Sequence, residues 1–410
     1  MGEHAPVPRG AAEGLRELSP AMAALPVGGT CDPRFADVRD AFLENFDRHG
    51  EVGAAVCVVV ENRVVVDLWG GWRDPERTQP WTPDTIVNTY STTKGVVATL
   101  FHRFVERGEI DLDAPVARYW PEFAANGKES LPVRYLLSHQ AGLAAIRRPL
   151  PPGSVVQWET MVSALAEEAP WWEPGTAHGY HALTFGFLVG EVLRRVSGQR
   201  VGELLRRELT GPLGLDFFIG FGPELDHRTA TLIPAPPPPP DQPDLRRMWQ
   251  ADPASLPAKA FNNPPPGGGV HANSRAWRAA EIPAGNGHGS ARAVARLYGA
   301  LAAGGEVDGV RVLSPETIER ARAEQAAGPD KVLPLMKTRY ALGYWLAHPE
   351  MPVWPTANCF GHPGMGGSCG FADPDAKLGF GYVMNQMKTG LVVGGTGQRL
   401  IEAVYRSLGG

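Results

Sequence analysis

The stretch Ile86-Val87-Asn88-Thr89-Tyr90-Ser91-Thr92-Thr93-Lys94-Gly95-Val96-Val97 places a hydroxyl and an amine three residues apart at the start of a helical pattern. Positions i and i+3 share one helix face. Leu100, Phe101, Phe104 and Val105 continue the apolar recurrence that begins at Val96, and Gly108 ends it. Upstream, Thr82-Pro83-Asp84-Thr85 reads as a turn. Ser91 therefore falls in the first turn of a largely buried helix, where unpaired backbone N–H groups and the positive end of the helix dipole favour developing negative charge. A serine hydroxyl becomes a useful nucleophile only beside a base, and burial would lower the pKa of Lys94 and make it a better proton acceptor. Taken alone the string is common, and an ordinary surface helix turn is its more frequent origin.

Outward from this helix, residues 36–46 read as a helix, followed by strands over 53–60 and 63–69 joined by a hairpin at Glu61-Asn62. Near-continuous apolar strands imply a sheet covered on both faces. Helical periodicity runs over 154–166, 183–196 and 201–209, with Gly198 as a helix stop. The segment 233–269, with prolines at 236–240 and Pro264-Pro265-Pro266-Gly267-Gly268-Gly269, reads as a loop wrapping a surface. Strands return over 340–346, 368–372 and 378–384, and a last amphipathic helix covers 397–408. The expected fold class is α+β, an α/β sandwich: an antiparallel sheet built from the N- and C-terminal segments, flanked by helices, with an inserted mainly helical domain. The corresponding divisions are an arm over 1–30, a sheet domain over 31–88 and 289–410, and a helical domain over 89–288, with the site at their interface.

Composition narrows the function. A formal charge of -5 over 410 residues provides no basic footprint for nucleic acid. No stretch approaches a membrane span, and residues 1–25 lack an apolar export region behind a positive start, so a cytoplasmic protein is expected. Cys31, Cys57, Cys359 and Cys369 lack metal-ligand spacing and read as reduced thiols. Gly366-Gly367-Ser368-Cys369-Gly370 matches a nucleophile elbow, but a strand rather than a helix follows it and no histidine lies after His362, so Ser368 reads as a decoy. The glycines of Phe360 to Gly367 suit either a strand that approaches a ligand closely or a bulged edge strand without one. Tyr180 follows the turn at Pro174-Gly175, near a helix start, where a phenol can face a cleft; with a pKa of about 10 it needs a nearby cation to act as a base, and Lys94 is the candidate. A tyrosine simply packed in a core is the commoner case. His178 and His181 lack a third metal ligand.

Ser91-Thr92-Thr93-Lys94, Gly179-Tyr180-His181 and His362-Pro363-Gly364 resemble, in order and approximate separation, the three motifs of the serine β-lactamase and penicillin-binding-protein superfamily. Framework segments at 108–116, 136–143, 289–292 and 371–374 agree, and the resemblance spans roughly residues 35 to 408. Within the superfamily the chain is most similar to the esterases related to class C β-lactamases, often called family VIII carboxylesterases. The resemblance implies that Ser91 is acylated, that Lys94 and Tyr180 transfer protons, and that the N–H groups of Ser91 and Met365 form an oxyanion hole. His362, Gly364, Gly366, Trp172 and His181 are the expected substrate contacts; Trp171, Trp345, Trp354 and the proline-rich loop are further candidates for an apolar pocket. No metal or organic cofactor is implied. Ala182 and His362 stand where class C lactamases carry asparagine and lysine, which removes two groups that orient a lactam. The expected activity is hydrolysis of small-acyl carboxylic esters through an acyl-enzyme. Acyl transfer, lactam or D-amino peptide hydrolysis, and a noncatalytic ligand sensor are the alternatives. The expected partner is a small ester or amide, with neither nucleic acid nor membrane, and a homodimer is compatible with the chain.

Overall fold

The computed structural model describes residues 24–237, 245–351, 353–390 and 392–409. Most of the expected N-terminal arm, and prolines 238–240 of the proline-rich segment, lie outside the described residues. A nine-stranded antiparallel sheet forms the centre. Its strands are β1 (Val27–Cys31), β2 (Gly53–Val60), β3 (Arg63–Gly71), β4 (Ala326–Pro329), β5 (Lys337–Tyr340), β6 (Trp345–Leu346), β7 (Phe360–Pro363), β8 (Cys369–Asp373) and β9 (Leu378–Met384), in the spatial order β1-β3-β2-β9-β8-β7-β6-β5-β4. The two ends of the chain meet at β2 and β9, where Val58 faces Phe380 and Val56 faces Tyr382. Glu61 and Asn62 both have positive φ, as a tight hairpin turn requires, and they join β2 to β3.

Helices cover both faces. Helix α1 (Ala36–Arg48) buries Val38 and Phe42. Helix α2 (Thr92–Glu106) is buried almost all round, which accounts for its mixture of Val, Leu, Phe and Thr without a charged stripe. Helices α3 (Trp158–Glu167) and α4 (Thr184–Ser197) pack on each other beside it, and Gly198, at φ 69°, caps α4 in the left-handed region. Two short helices, α5 (Leu245–Ala251) and α6 (Leu256–Asn262), stand within the proline-rich segment. Helix α7 (Ala291–Ala302) lies on β2, β8 and β9, and α8 (Gly395–Leu408) pairs with α1 on the opposite face. A Cβ at Gly379 of β9 would come within 2.1 Å of the Gly299 nitrogen, so the bare strand is what lets α7 lie this close.

Several expectations are corrected. Residues 27–31 are an edge strand paired with β3, not part of an irregular arm. The expected strand 340–346 is two strands, β5 and β6, because Gly343 at φ 89° turns the chain between them. The proline-rich segment is not loop throughout: Ser255 accepts from the Ala258 N–H to cap α6, and proline is tolerated in a first helical turn because its missing N–H has no role there. The glycine-rich strand β7 is interior, between β6 and β8, rather than an edge. All four cysteines are free thiols.

Candidate active site

Ser91 is the N-cap of α2, and its position is fixed from the strand side. Val87 and Asn88 pair with Gly289 and His288, and the Thr89 N–H donates to the Gly287 carbonyl at 2.8 Å. Tyr90 is then forced to φ 45°, a costly conformation for a non-glycine residue, and presents Ser91 at the turn. Ser368 belongs to this scaffold: it is buried, and its hydroxyl donates to the Thr89 carbonyl at 2.7 Å and lies 3.1 Å from the Thr92 hydroxyl. The sequence decoy is a brace for the real turn.

Lys94 is completely buried, with Nζ 3.1 Å from Ser91 Oγ, 2.8 Å from the Ala182 carbonyl and 2.9 Å from the Ala284 carbonyl. Desolvation holds its pKa well below the usual lysine value. A neutral amine has two N–H groups and one lone pair. The two carbonyls can take only donors, so the lone pair is left for the Ser91 O–H. An amine so placed can take the proton of the hydroxyl.

Tyr180 comes to the same place: its hydroxyl is hydrogen-bonded to Ser91, and its ring lies 4.8 Å from Lys94 Nζ. Burial raises the phenol's pKa, and the Asp330 charge adds to the rise, so the resting group is a neutral phenol. Burial disfavours the ammonium form of Lys94, which weakens it as a cation for a phenolate. A neutral phenol bonded to the nucleophile can instead pass a proton along.

Met365 faces the same cavity as Ser91. The Gly364 N–H donates to the Ser368 carbonyl at 2.7 Å, and the Lys388 N–H donates to the Gly366 carbonyl at 2.8 Å, which pins the turn around Met365. Neither the Ser91 nor the Met365 N–H has a backbone acceptor among the described residues, and the pair is free to receive an oxyanion. Gly364 and Gly366 shape this turn rather than line the cavity. A Cβ on Gly364 would lie 2.3 Å from the Thr89 carbonyl, and Gly366 has φ 89°.

The other expected contacts fall behind the site. His181 is sealed: its Nδ1–H donates to the Gly179 carbonyl at 2.7 Å, Nε2 accepts from the Leu143 N–H at 3.2 Å, and its own N–H donates to His139 Nδ1 at 3.1 Å. Trp172 donates to the Ala177 carbonyl and sits edge-on to His181, away from the cavity. His362 lies 6.0 Å from the Tyr180 ring with its Nδ1–H on the Pro363 carbonyl, and burial together with Lys94 pushes its pKa down to about 3. It is a neutral imidazole and offers no charge to a substrate. Trp171 and Trp354 donate to the carbonyls of Ala145 and Trp345, and Trp345 packs under Tyr180.

The walls that do face Ser91 come from elsewhere. The cavity, about 340 Å³, is lined by Val155, Leu183, Phe261, Pro264–Pro266, Val270 and Trp277, and no lysine, arginine, aspartate or glutamate is among its lining residues. Of the sequence candidates, the proline-rich segment is present and the four tryptophans are not. Asp330 was also missed. It is buried, and its Oδ1 accepts from the N–H groups of Tyr180, Val332 and Leu333, while Oδ2 accepts from the hydroxyls of Thr338 and Tyr340. It holds the backbone of Tyr180 in place. Its only sequence signal was a lone acid after Gly328-Pro329. Asp330→Ala strands these donors, each worth about 1–3 kcal/mol when left unpaired, and is expected to lower stability by at least about 3 kcal/mol in a urea titration.

Among the described residues no cluster of His, Cys, Asp and Glu is arranged to hold a metal, and no helix is long and apolar enough to cross a membrane. Comparison with known proteins agrees with the geometry. The chain is 38% identical over 384 residues to the esterase/beta-lactamase LipL of Mycobacterium tuberculosis, covering 90% of this chain and 85% of that protein. Among solved structures, a family VIII carboxylesterase superposes with a TM-score of 0.84 at 42% identity, covering 93% of this chain and 100% of the other. A penicillin-binding protein homologue from Caulobacter crescentus superposes with a TM-score of 0.85 at 41% identity, over 93% and 100% of the two chains. A hydroxyl, a buried amine and a phenol gathered at the end of α2, in a chain whose residues 38–403 match the beta-lactamase family model, make this protein a member of the beta-lactamase family.

Proposed function

We propose that this serine hydrolase is a carboxylesterase acting on neutral esters through an acyl-enzyme at Ser91. The observation that carries the reading is Lys94: fully buried, 3.1 Å from Ser91 Oγ, and beneath a cavity whose lining side chains include no lysine, arginine, aspartate or glutamate. Ser91 Oγ attacks the ester carbonyl while Lys94 takes its proton. The carbonyl oxygen becomes an oxyanion held by the N–H groups of Ser91 and Met365, which as preorganised donors contribute about 3 kcal/mol each. The C–O bond of the alcohol then breaks, and the proton passes from Lys94 through Tyr180 to the leaving oxygen. Water, deprotonated by the same pair, attacks the acyl-enzyme and releases the acid, returning the proton to Ser91.

A lactam or peptide bears a carboxylate that would need a cation, and no lysine or arginine lines the cavity, while His362 is a neutral imidazole. The similarity to LipL and to a family VIII carboxylesterase supports the ester reading. The test is turnover of p-nitrophenyl butyrate beside a chromogenic cephalosporin, with the adduct of an activated phosphonate mapped by mass. Ester turnover well above cephalosporin turnover, with the adduct on Ser91, is expected; the opposite preference would overturn it. Added alcohol that takes the acyl group from Ser91 in place of water, yielding a new ester at the expense of the acid, would identify acyl transfer instead.

Tyr180→Phe is expected to lower kcat/KM by about 10²–10⁴-fold on alkyl esters, whose leaving alkoxide must be protonated. The loss is smaller on p-nitrophenyl esters, whose leaving group departs without a proton. Equal losses on both would show that Tyr180 only shapes the site.

A further inference from the structure

A second cavity lies against the first, on the other side of α6. It has a volume of about 540 Å³, and its lining includes Pro149, Leu150, Trp249, Ala258 and Pro265. Pro265 lines both cavities. Phe261 faces the Ser91 side, Trp249 faces the far side, and the two rings stack with centroids 4.5 Å apart and an interplanar angle of 21°. The partition is therefore two aromatic rings and a proline. It stands beside the chemistry, since the Phe261 ring is 6.5 Å from that of Tyr180.

The second cavity suits hydrocarbon because the amides in its wall are already engaged, Asn262 Nδ2 donating to the Ala258 carbonyl and Asn263 Nδ2 to those of Ile146 and Arg148. Its one cationic lining residue, Lys259, is already engaged, with Nζ donating to the Arg147 carbonyl at 3.0 Å, and no acid lines it. The near cavity, at about 340 Å³, is at the small end of the usual range for ligand sites. A long apolar chain that runs from Ser91 toward α6 meets the Phe261–Trp249 stack.

Building on the esterase reading, we infer that the Phe261–Trp249 stack is the specificity-determining wall of this site: it restricts the enzyme to short alkyl chains and closes off the neighbouring cavity, which is a subsite for the chain of a longer ester. A chain on the acyl side and one on the alcohol side share this chemistry, and the substrates distinguish them.

The experiment compares wild type, Phe261→Ala, Trp249→Ala and the double variant on p-nitrophenyl butyrate and octanoate, and on butyl and octyl acetate. Each methylene newly buried is worth about fourfold in kcat/KM, so the four more methylenes of the longer chain set a ceiling of about 250-fold. Wild type is expected to prefer the short chain in both series. The double variant is expected to raise the long-to-short ratio at least about tenfold in one of them, and that series identifies which end of the ester passes the wall. Gln250 is exposed on the rim of the second cavity. Adding Gln250→Trp to the double variant should refill the space and return the ratio to its wild-type value. Should the alanine variants fail to fold by circular dichroism, Phe261→Leu still thins the wall and is expected to shift the ratio by about threefold, close to one methylene.

A ratio unchanged in variants that still turn over butyrate would overturn the wall, as would a gain that survives Gln250→Trp. Neither result touches the esterase reading. Absence of butyrate turnover and of a Ser91 adduct in wild type would overturn both.

Discussion

Ser91→Ala is expected to lower kcat/KM for p-nitrophenyl butyrate by about 10⁴–10⁶-fold while leaving the melting temperature nearly unchanged. The first half follows from the absence of a substitute. Ser368, the other serine in a nucleophile-like string, is buried and its hydroxyl is committed to the Thr89 carbonyl. The residual rate is that of a bound ester polarised by the two free N–H groups, with water in place of the alkoxide. The second half follows from the cap. Ser91 begins α2, but its side chain makes no capping hydrogen bond, so its loss removes no support from the helix end. Lys94 keeps the carbonyls of Ala182 and Ala284 as partners. Turnover together with phosphonate labelling and a thermal melt checks both halves. A loss of less than tenfold with an intact fold would place the nucleophile elsewhere.

The pairing of Ser91 with Lys94 was legible because it is local. A spacing of three on a helix puts two side chains on one face whatever the rest of the fold does, and the apolar run from Val96 to Phe104 marks that helix. Tyr180 carried a weaker signal, its place after the Pro174-Gly175 turn near a helix start, and the resemblance strengthened it, since a phenol nearly ninety residues away in sequence has no spacing rule connecting it to Ser91. Nearness in sequence then misled. His181 and Trp172 stand close to Tyr180 in the chain, yet the turn that carries the phenol into the cavity directs these two side chains into packing and hydrogen bonds behind it. The same is true of His362, whose strand faces α2 from beneath Lys94 and Tyr180 rather than from the open side. Asp330 and Phe261 carry no periodic or motif signal. Their roles depend on which loop lies against which, and that is decided by the packing of distant segments on the sheet. In the proline-rich segment, composition argued correctly against a long helix. It also argued against the two short helices that are there, because it took no account of a first helical turn, where Ser255 and Pro257 start α6 and proline does no harm.

Lys94→Met should show opposite effects on rate and stability, and the pH dependence of each identifies the amine. The rate falls by about 10⁴-fold or more, because the hydroxyl loses its only adjacent base while the side chain keeps its shape. In wild type, kcat/KM should rise with pH as Lys94 loses its proton, with an acid limb well below the usual lysine range because burial depresses its pKa. That limb should vanish in the variant. For stability, the unfolded lysine titrates near 10.4 and the folded one lower, so between those values the unfolded state binds the extra proton and wild-type stability falls as pH falls. Methionine carries no such proton. The melting temperature of Lys94→Met minus that of wild type should therefore be smallest above about pH 10.4, grow as the pH is lowered, and level off only below the depressed folded pKa. The carbonyls of Ala182 and Ala284 lose their donor in the variant at every pH, a constant cost that shifts the whole curve without changing its slope. Calorimetric melts of both proteins across neutral and alkaline pH measure that slope directly. A flat difference would mean that Lys94 titrates in the folded protein as it does unfolded, leaving at neutral pH an ammonium that cannot accept the proton of Ser91.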